Sequence, residues 1–185
     1  MSEEKGELMK IAVLGYSGAG KSTLAAQLSK QYGIPVLHLD TVQFLPGWKE
    51  RPRKQAQRMV SDFMEQPDWV IDGNYSQFYQ SERLEQADTI LLLCFGRFRC
   101  LYRVWKRYRN NRGKVRESMA EGCEEKLDWE FICWVLFKGR NRKKRDIFLK
   151  IRGQYPQKTV LLKNPRQVKD YLGKIEKEME RSAEQ

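Results

Sequence analysis

Gly15-Tyr16-Ser17-Gly18-Ala19-Gly20-Lys21-Ser22 fits the pattern G-x-x-x-x-G-K-[ST]. Just before it, Lys10-Ile11-Ala12-Val13-Leu14 is a short apolar run with β-branched members, and it reads as a buried strand. Just after it, Ser22 to Leu28 puts Leu24, Ala25 and Leu28 on one helical face. Strand, glycine loop and helix stand in the order that a phosphate-binding loop requires. The glycines let successive backbone N–H groups turn inward around an anion. The helix N-terminus adds its partial positive charge. Gly15, Ser17, Gly18, Ala19, Gly20, Lys21, Ser22 and Thr23 are therefore the expected nucleotide cradle. Lys21 would reach the outer phosphates and act in catalysis, and the Ser22 hydroxyl would hold Mg²⁺.

The pattern continues outward as strands alternating with helices. Tyr32-Gly33-Ile34-Pro35 stops the first helix, and Val36 to Asp40 reads as a second strand. Leu45-Pro46-Gly47-Trp48 is a turn, and Ala56, Met59, Val60, Phe63 and Met64 follow helical spacing. Asp68 to Tyr75 is a third strand with an acidic turn, and a polar helix is expected around Phe78 to Leu84. Thr89 to Phe95 is a continuous apolar run, hence a strand covered on both faces. Val160-Leu161-Leu162 is the last strand. Pro165 opens a closing helix with Val168, Leu172, Ile175 and Met179 inward. The alternation predicts an α/β fold of three layers around a parallel five-stranded sheet.

Between Arg97 and Ile151 the character changes. Phe98, Leu101, Tyr102, Trp105 and Tyr108 make a helical stripe with arginines between them. Asn110 to Lys114 breaks it, and a polar loop is expected up to Gly122. A second helix carries Leu127, Phe131, Trp134 and Val135, and ends or bends at Gly139. The aromatic stripes are expected to pack inward rather than to serve as a base-stacking platform.

Composition narrows the function classes. Lys and Arg number 35 against 24 Asp and Glu, a formal net charge of +11, which favours polyanionic partners. At 185 residues the chain is expected to form a single domain, with a lid segment at about 97–145. The four cysteines form no C-x-x-C pair, which argues against a metal site or a disulfide framework and for thiols in a reducing cytoplasm. Met1 to Glu7 is charged and polar, unlike a signal peptide, and the longest apolar run is far too short to span a bilayer. The expectation is a cytoplasmic protein without a membrane partner. Oligomeric state stays open.

A P-loop needs a second carboxylate at a strand end to hold Mg²⁺ through water. Asp72 is the expected one. Asp40 would orient or deprotonate an acceptor hydroxyl. His38, the only histidine, is expected on the same strand face as Asp40, as a core histidine with one hydrogen bond; acceptor binding is the alternative.

The P-loop, His38-Leu39-Asp40, Pro46-Gly47-Trp48, Ile71 to Tyr75 and Met119 to Cys123 together resemble the topology-modulation proteins of the FlaR type. Those are similar in turn to adenylate kinase. The likeness runs from Ile11 to about Tyr171. It implies a P-loop nucleoside-triphosphate hydrolase fold of the nucleotide kinase type, with a helical lid, ATP as donor and Mg²⁺ as cofactor. Asp72-Gly73 matches the Asp-Gly turn of adenylate kinases, but Asn74-Tyr75-Ser76 replaces their Phe-Pro-Arg, so the arginine that grips an acceptor nucleotide is absent there. The likeness puts Arg103 beside the adenine and Arg107 on the ATP phosphates. Arg140, Arg142 and Arg145 are candidates for the cations of the returning helix, with Arg142 taken as the catalytic one. Asn164 falls in the loop that touches adenine.

Three functions compete. The first is an ATP-dependent phosphotransferase with a nucleotide or other small-molecule acceptor. The second is a nucleic-acid-associated ATPase modulating DNA topology. The third is a non-catalytic nucleotide sensor. No helix-turn-helix, zinc finger or other reader module is present in the sequence, and the cations cluster where a kinase lid would lie. Both features favour the first.

Overall fold

A computed structural model describes residues 9–110, 119, 122–123 and 127–183. The central strands are β1 (Lys10–Gly15), β2 (Val36–His38), β5 (Trp69–Asp72), β6 (Thr89–Leu93) and β7 (Thr159–Leu162). They form one sheet in the order β2-β5-β1-β6-β7, parallel throughout. Between β2 and β5 lie the short antiparallel pair β3 (Phe44–Leu45) and β4 (Lys49–Glu50), which flank the Pro46-Gly47-Trp48 turn. The helices are α1 (Lys21–Tyr32), α2 (Leu39–Gln43), α3 (Arg53–Met64), α4 (Gln80–Gln86), α5 (Arg97–Asn110), α6 (Trp129–Leu136), α7 (Arg142–Gln154) and α8 (Pro165–Ala183).

Alternation along β1 builds two cores. Ala12 and Leu14 face one layer, with Val60 of α3, Leu84 of α4 and Phe148 of α7. Ile11 and Val13 face the other, with Leu24 of α1, Val104 of α5, Val135 of α6 and Ile175 of α8. Side chains of successive strand residues point to opposite faces, so a strand covered on both must be apolar throughout. This is the three-layer α/β fold the sequence predicts. β1 sits at the centre, and the crevice beyond its carboxyl end is where ligands of open parallel sheets bind.

Several expectations are corrected. The second strand stops at His38, and Leu39–Gln43 is a short helix, so Asp40 shares no strand face with His38. The reason is its neighbour. His38 pairs with Asp72, the last residue of β5, and Gly73 then turns away at φ 134°, leaving no strand for residue 39 to join. The third and fourth strands are likewise trimmed to Trp69–Asp72 and Thr89–Leu93. Met179 is 38% exposed instead of inward. The largest error concerns α5. Its buried residues are Cys100 and Val104, whereas Phe98, Tyr102 and Trp105 face outward, 76%, 59% and 43% exposed. The side of α5 that meets the phosphate loop must be small: Cys100 and Val104 lie against Gly18, where rings would not fit.

Candidate active site

The loop between β1 and α1 is fastened on both sides. The backbone N–H of Gly15 donates to Asn74 Oδ1 at 3.0 Å, and Asn74 Nδ2 donates back to the Gly15 carbonyl at 2.7 Å. Tyr16 N donates to the Leu93 carbonyl at 3.0 Å, and Ala19 N to that of Tyr16 at 3.1 Å. Three glycines are compelled. At Gly15 φ is +149°, and a Cβ would strike the Leu93 carbonyl. At Gly18 φ is +77°, and a Cβ would stand 2.7 Å from the Cys100 carbonyl oxygen. At Gly20 φ is +95°, and a Cβ would strike the Arg103 guanidinium. No side chain caps α1 at Gly20, so the first-turn N–H groups, those of Lys21, Ser22 and Thr23 among them, are left for an anion. Lys21 Nζ folds back to the Tyr16 carbonyl at 3.5 Å. The Ser22 side chain is half-buried at this helix start and Thr23 is exposed.

Cations gather over the loop from α5 and α7. Arg103 Nε donates to the Gly18 carbonyl at 3.2 Å, and its guanidinium lies 5.8 Å from the Phe95 ring centroid. Arg107, half-buried, is one turn further along the same face. Arg140 sits over the Tyr16 ring at 4.0 Å and donates to the carbonyls of Val135 at 2.9 Å and Phe95 at 2.8 Å. Burial first, and the nearby Lys21 ammonium second, push the Lys144 ammonium below the ordinary lysine value. Arg142 is not brought to the loop: its side chain is 88% exposed, with Asp146 at 3.9 Å. Sequence reasoning missed Lys144, which carries no motif, and its register left Arg140 and Arg142 indistinguishable.

Beside Arg103, an open groove of about 520 Å³ runs between α5 and the start of α8, lined by Arg99, Tyr102, Arg103 and Pro165. Asn164 adjoins it but spends its side-chain oxygen on the Gln167 N–H at 3.0 Å, capping α8.

The two carboxylates occupy different surroundings. Asp72 is 3% exposed at the end of β5. Its Oδ1 lies 3.2 Å from His38 Nδ1, within ion-pair distance but outside hydrogen-bond geometry, and its Oδ2 has no partner. A buried carboxylate oxygen without a partner is costly unless something else completes it. With the Ser22 hydroxyl at the helix start, this donor set fits Mg²⁺. That ion takes few protein ligands and fills its octahedron with phosphate oxygens and water. Among the described residues no cluster of three His, Cys, Asp or Glu competes as a metal site. Asp40, in the first turn of α2, accepts the Tyr75 hydroxyl at 2.7 Å. Burial, reinforced by the Asp40 charge, raises the Tyr75 phenol above its ordinary value, so it stays neutral and keeps donating.

Arg83 ties this side together. Fully buried in α4, it donates to the carbonyls of Phe78 at 2.8 Å, Gly73 at 3.4 Å and Tyr75 at 2.8 Å. Burial lowers it to about 10, against the pull of Glu82 and Asp72. Nothing in a polar helical stretch marks this arginine as different from its exposed neighbours. Asn74 and Tyr75 were visible in the Ile71 to Tyr75 stretch, but not what they hold.

The geometry defines a P-loop fold with cations over the loop and two carboxylates at the ends of neighbouring elements. No family model matches the sequence. Adenylate kinase from Bartonella tribocorum (strain CIP 105476 / IBS 506) is 27% identical over 150 residues, 65% of this chain and 73% of that protein. Shikimate kinase from Acinetobacter baumannii, solved in complex with shikimate, superposes with a TM-score of 0.51 at 18% identity, covering 95% of this chain and 94% of that one. TT1252 from Thermus thermophilus superposes with a TM-score of 0.53 at 16% identity, covering 94% and 98%. These superpositions place the chain in the fold of P-loop kinases.

Proposed function

We propose that the protein is an ATP-dependent kinase that transfers the terminal phosphoryl group of ATP to a hydroxyl or phosphate of a small acceptor. The observation that carries this is the pairing of a complete phosphate loop with two carboxylates in separate roles: Asp72 buried with a free oxygen, Asp40 pinned by Tyr75. Adenylate kinase as a sequence relative supports ATP as the donor. The FlaR-type likeness supports the same site, because its stretches supply Asp40, Asp72, Asn74 and Tyr75.

In this reading the loop N–H groups and Lys21 hold the β- and γ-phosphates. Arg107 offsets charge as it spreads over the migrating group, and Arg103, on the groove next to Pro165, borders the adenine. Ser22 and Asp72 would hold Mg²⁺, which neutralises phosphate charge when bound. Asp40 accepts the proton of the acceptor hydroxyl, and Tyr75 keeps that carboxylate in one rotamer. Ser76 stands where adenylate kinases carry their arginine, and Asn74, two residues before it, is committed to Gly15. A nucleoside monophosphate acceptor would therefore need its cation from elsewhere.

The segment at about 97–145 is proposed to close over the nucleotide and exclude water. Its middle reaches the acceptor side: Met119 is buried, and Cys123 Sγ donates to the Leu45 carbonyl at 3.5 Å, beside the Pro46-Gly47 turn. The stretch where motion is expected, between Asn110 and Gly122, lies almost wholly outside the described residues. A cytoplasmic location is proposed too; all four cysteines are free thiols, and no helix among the described residues is long and apolar enough to cross a membrane.

The test is calorimetry with Mg·ATP, followed by labelled ATP with a panel of nucleotides, nucleosides, sugars and hydroxy acids. ATP binding and one labelled product are expected. Asp40→Asn should abolish that product and leave ATP affinity within about twofold, because Asp40 lies off the donor site. Absence of ATP binding at millimolar nucleotide would overturn the proposal.

A further inference from the structure

Helix α5 carries six cations, Arg97, Arg99, Arg103, Lys106, Arg107 and Arg109, and no carboxylate. Arg103 and Arg107 face the phosphate loop. The opposite side carries Phe98, Tyr102, Trp105 and Arg109, spaced by three and four residues and so aligned in one stripe. This is the stripe expected to pack inward, and it is exposed. The Tyr102 and Trp105 rings stand 6.1 Å apart at 32°, and the Arg109 guanidinium lies 4.8 Å from the Trp105 centroid. At the start of the helix, Arg97 lies 5.8 Å from the ring of Phe137, itself 60% exposed. Arg99 and Lys106 are exposed along one flank.

Large exposed rings in a row are disfavoured in water and mark a binding surface. Their neighbours select the occupant. A second copy of this chain would bring an equal density of positive charge against the first. A duplex would meet the cations but has its bases stacked inside, leaving the rings unused. A single strand uses both, since its bases stack on aromatic faces while its phosphates meet the cations between them.

We propose that this face of α5 binds single-stranded nucleic acid, with bases on Phe98, Tyr102 and Trp105 and phosphates on Arg99, Lys106 and Arg109. The face stands apart from the phosphate loop, and the proposal holds whether or not the protein transfers phosphate. Tyr102 and Arg99 also line the groove beside Arg103, so ATP and a strand share one edge and should weaken each other modestly.

The experiment is fluorescence anisotropy of a labelled oligothymidylate titrated with the full chain, read also by Trp quenching. Binding in the micromolar range is expected, with a log–log salt slope of about −2 for three neutralised phosphates. Phe98→Ala and Trp105→Ala should each weaken it about tenfold, and leave Mg·ATP binding and circular dichroism unchanged. Lys106→Ala and Arg109→Ala should each reduce the slope by about 0.7. Three outcomes overturn the assignment: no binding of the oligonucleotide, ring variants that bind like the parent, or a duplex of equal length or phosphatidylserine vesicles bound as tightly as the single strand.

Discussion

The two walls of the cleft are held in opposite ways. On the β1–β5 wall the polar side chains are spent on the protein's own backbone: Asn74 on Gly15, Arg83 on three carbonyls, Tyr75 on Asp40. On the α5–α7 wall Arg103 and Arg140 are spent in this way, while Arg97, Arg99, Lys106, Arg109 and Arg142 face solvent. Satisfied polar networks rigidify, and unspent cations wait for an anion. The first wall is built to hold a geometry, the second to receive charge.

Variants on the first wall should therefore cost stability, and variants on the second should cost binding. The largest effect is expected at Arg83. Arg83→Leu strips the Phe78 and Gly73 carbonyls of the guanidinium and leaves that of Tyr75 with the long Phe78 N–H bond at 3.4 Å. Each loss is worth about 1–3 kcal/mol, so urea denaturation should show a loss of about 3 kcal/mol or more. Arg83→Lys should recover only part, because an ammonium cannot span the three acceptors. A loss within about 0.5 kcal/mol, typical of a surface change, would break the comparison at its firmest point.

Lys21 comes next and belongs to the cleft floor between the walls. Lys21→Ala should slow phosphoryl transfer by at least about 100-fold, the usual loss when one aimed donor to the transition state is removed. Circular dichroism should be unchanged, since the side-chain bond of Lys21 to the Tyr16 carbonyl, at 3.5 Å, is long. An unchanged rate would remove Lys21 from the chemistry.

The sheet was legible in the sequence to within three residues at each strand end because its signal is local. A strand covered on both faces is apolar throughout, and β1 and β6 read that way. Strand ends were less legible, since β2 stops where its neighbour β5 stops, and Val36 to Asp40 alone cannot report that. The phosphate loop and Asp72 were legible because each is one residue type at one topological place, whereas Asp40 was expected on a strand and lies in α2. The helical face of α5 was not. Periodicity shows that Phe98, Tyr102 and Trp105 lie together, but not whether that side turns in or out. The choice turns on the close approach at Gly18, which lies against the Cys100 backbone carbonyl and the Val104 side chain. Arg83 was illegible for a related reason: its partners are backbone carbonyls, which have no letter in the sequence.

Asn74 sharpens the comparison within the first wall. Asn74→Ala removes both bonds to Gly15 and should cost about 1–3 kcal/mol. ATP affinity should fall with it, because the loop loses its tie to β5. Asn74→Asp keeps the acceptor for Gly15 N but sets a carboxylate against the Gly15 carbonyl, and should weaken ATP binding more than it weakens the fold. If Asn74→Ala left nucleotide affinity intact, Leu93 alone would suffice to hold the loop.

The smallest effect on stability is expected at Arg142, and it separates two arginines that the sequence could not rank. Arg140 and Arg142 lie two residues apart beside the same helix start, yet Arg140 is pinned by the carbonyls of Phe95 and Val135 and by the Tyr16 ring, while Arg142, 88% exposed, meets Asp146 at 3.9 Å. An exposed pair four residues apart on a helix contributes about 0.3–0.5 kcal/mol, so Arg142→Ala should barely move the urea midpoint. Arg140→Ala should cost several times more and loosen Tyr16. The informative readout for Arg142 is then kinetic. If its side chain joins the phosphates when the basic wall closes, Arg142→Ala will lower kcat at unchanged stability. If Lys144, already close enough to Lys21 to feel its charge, supplies that contact instead, Lys144→Ala will lower kcat and Arg142→Ala will not. The first outcome means that the α7 side of the cleft changes shape during turnover. The second means that its cations are placed before ATP arrives.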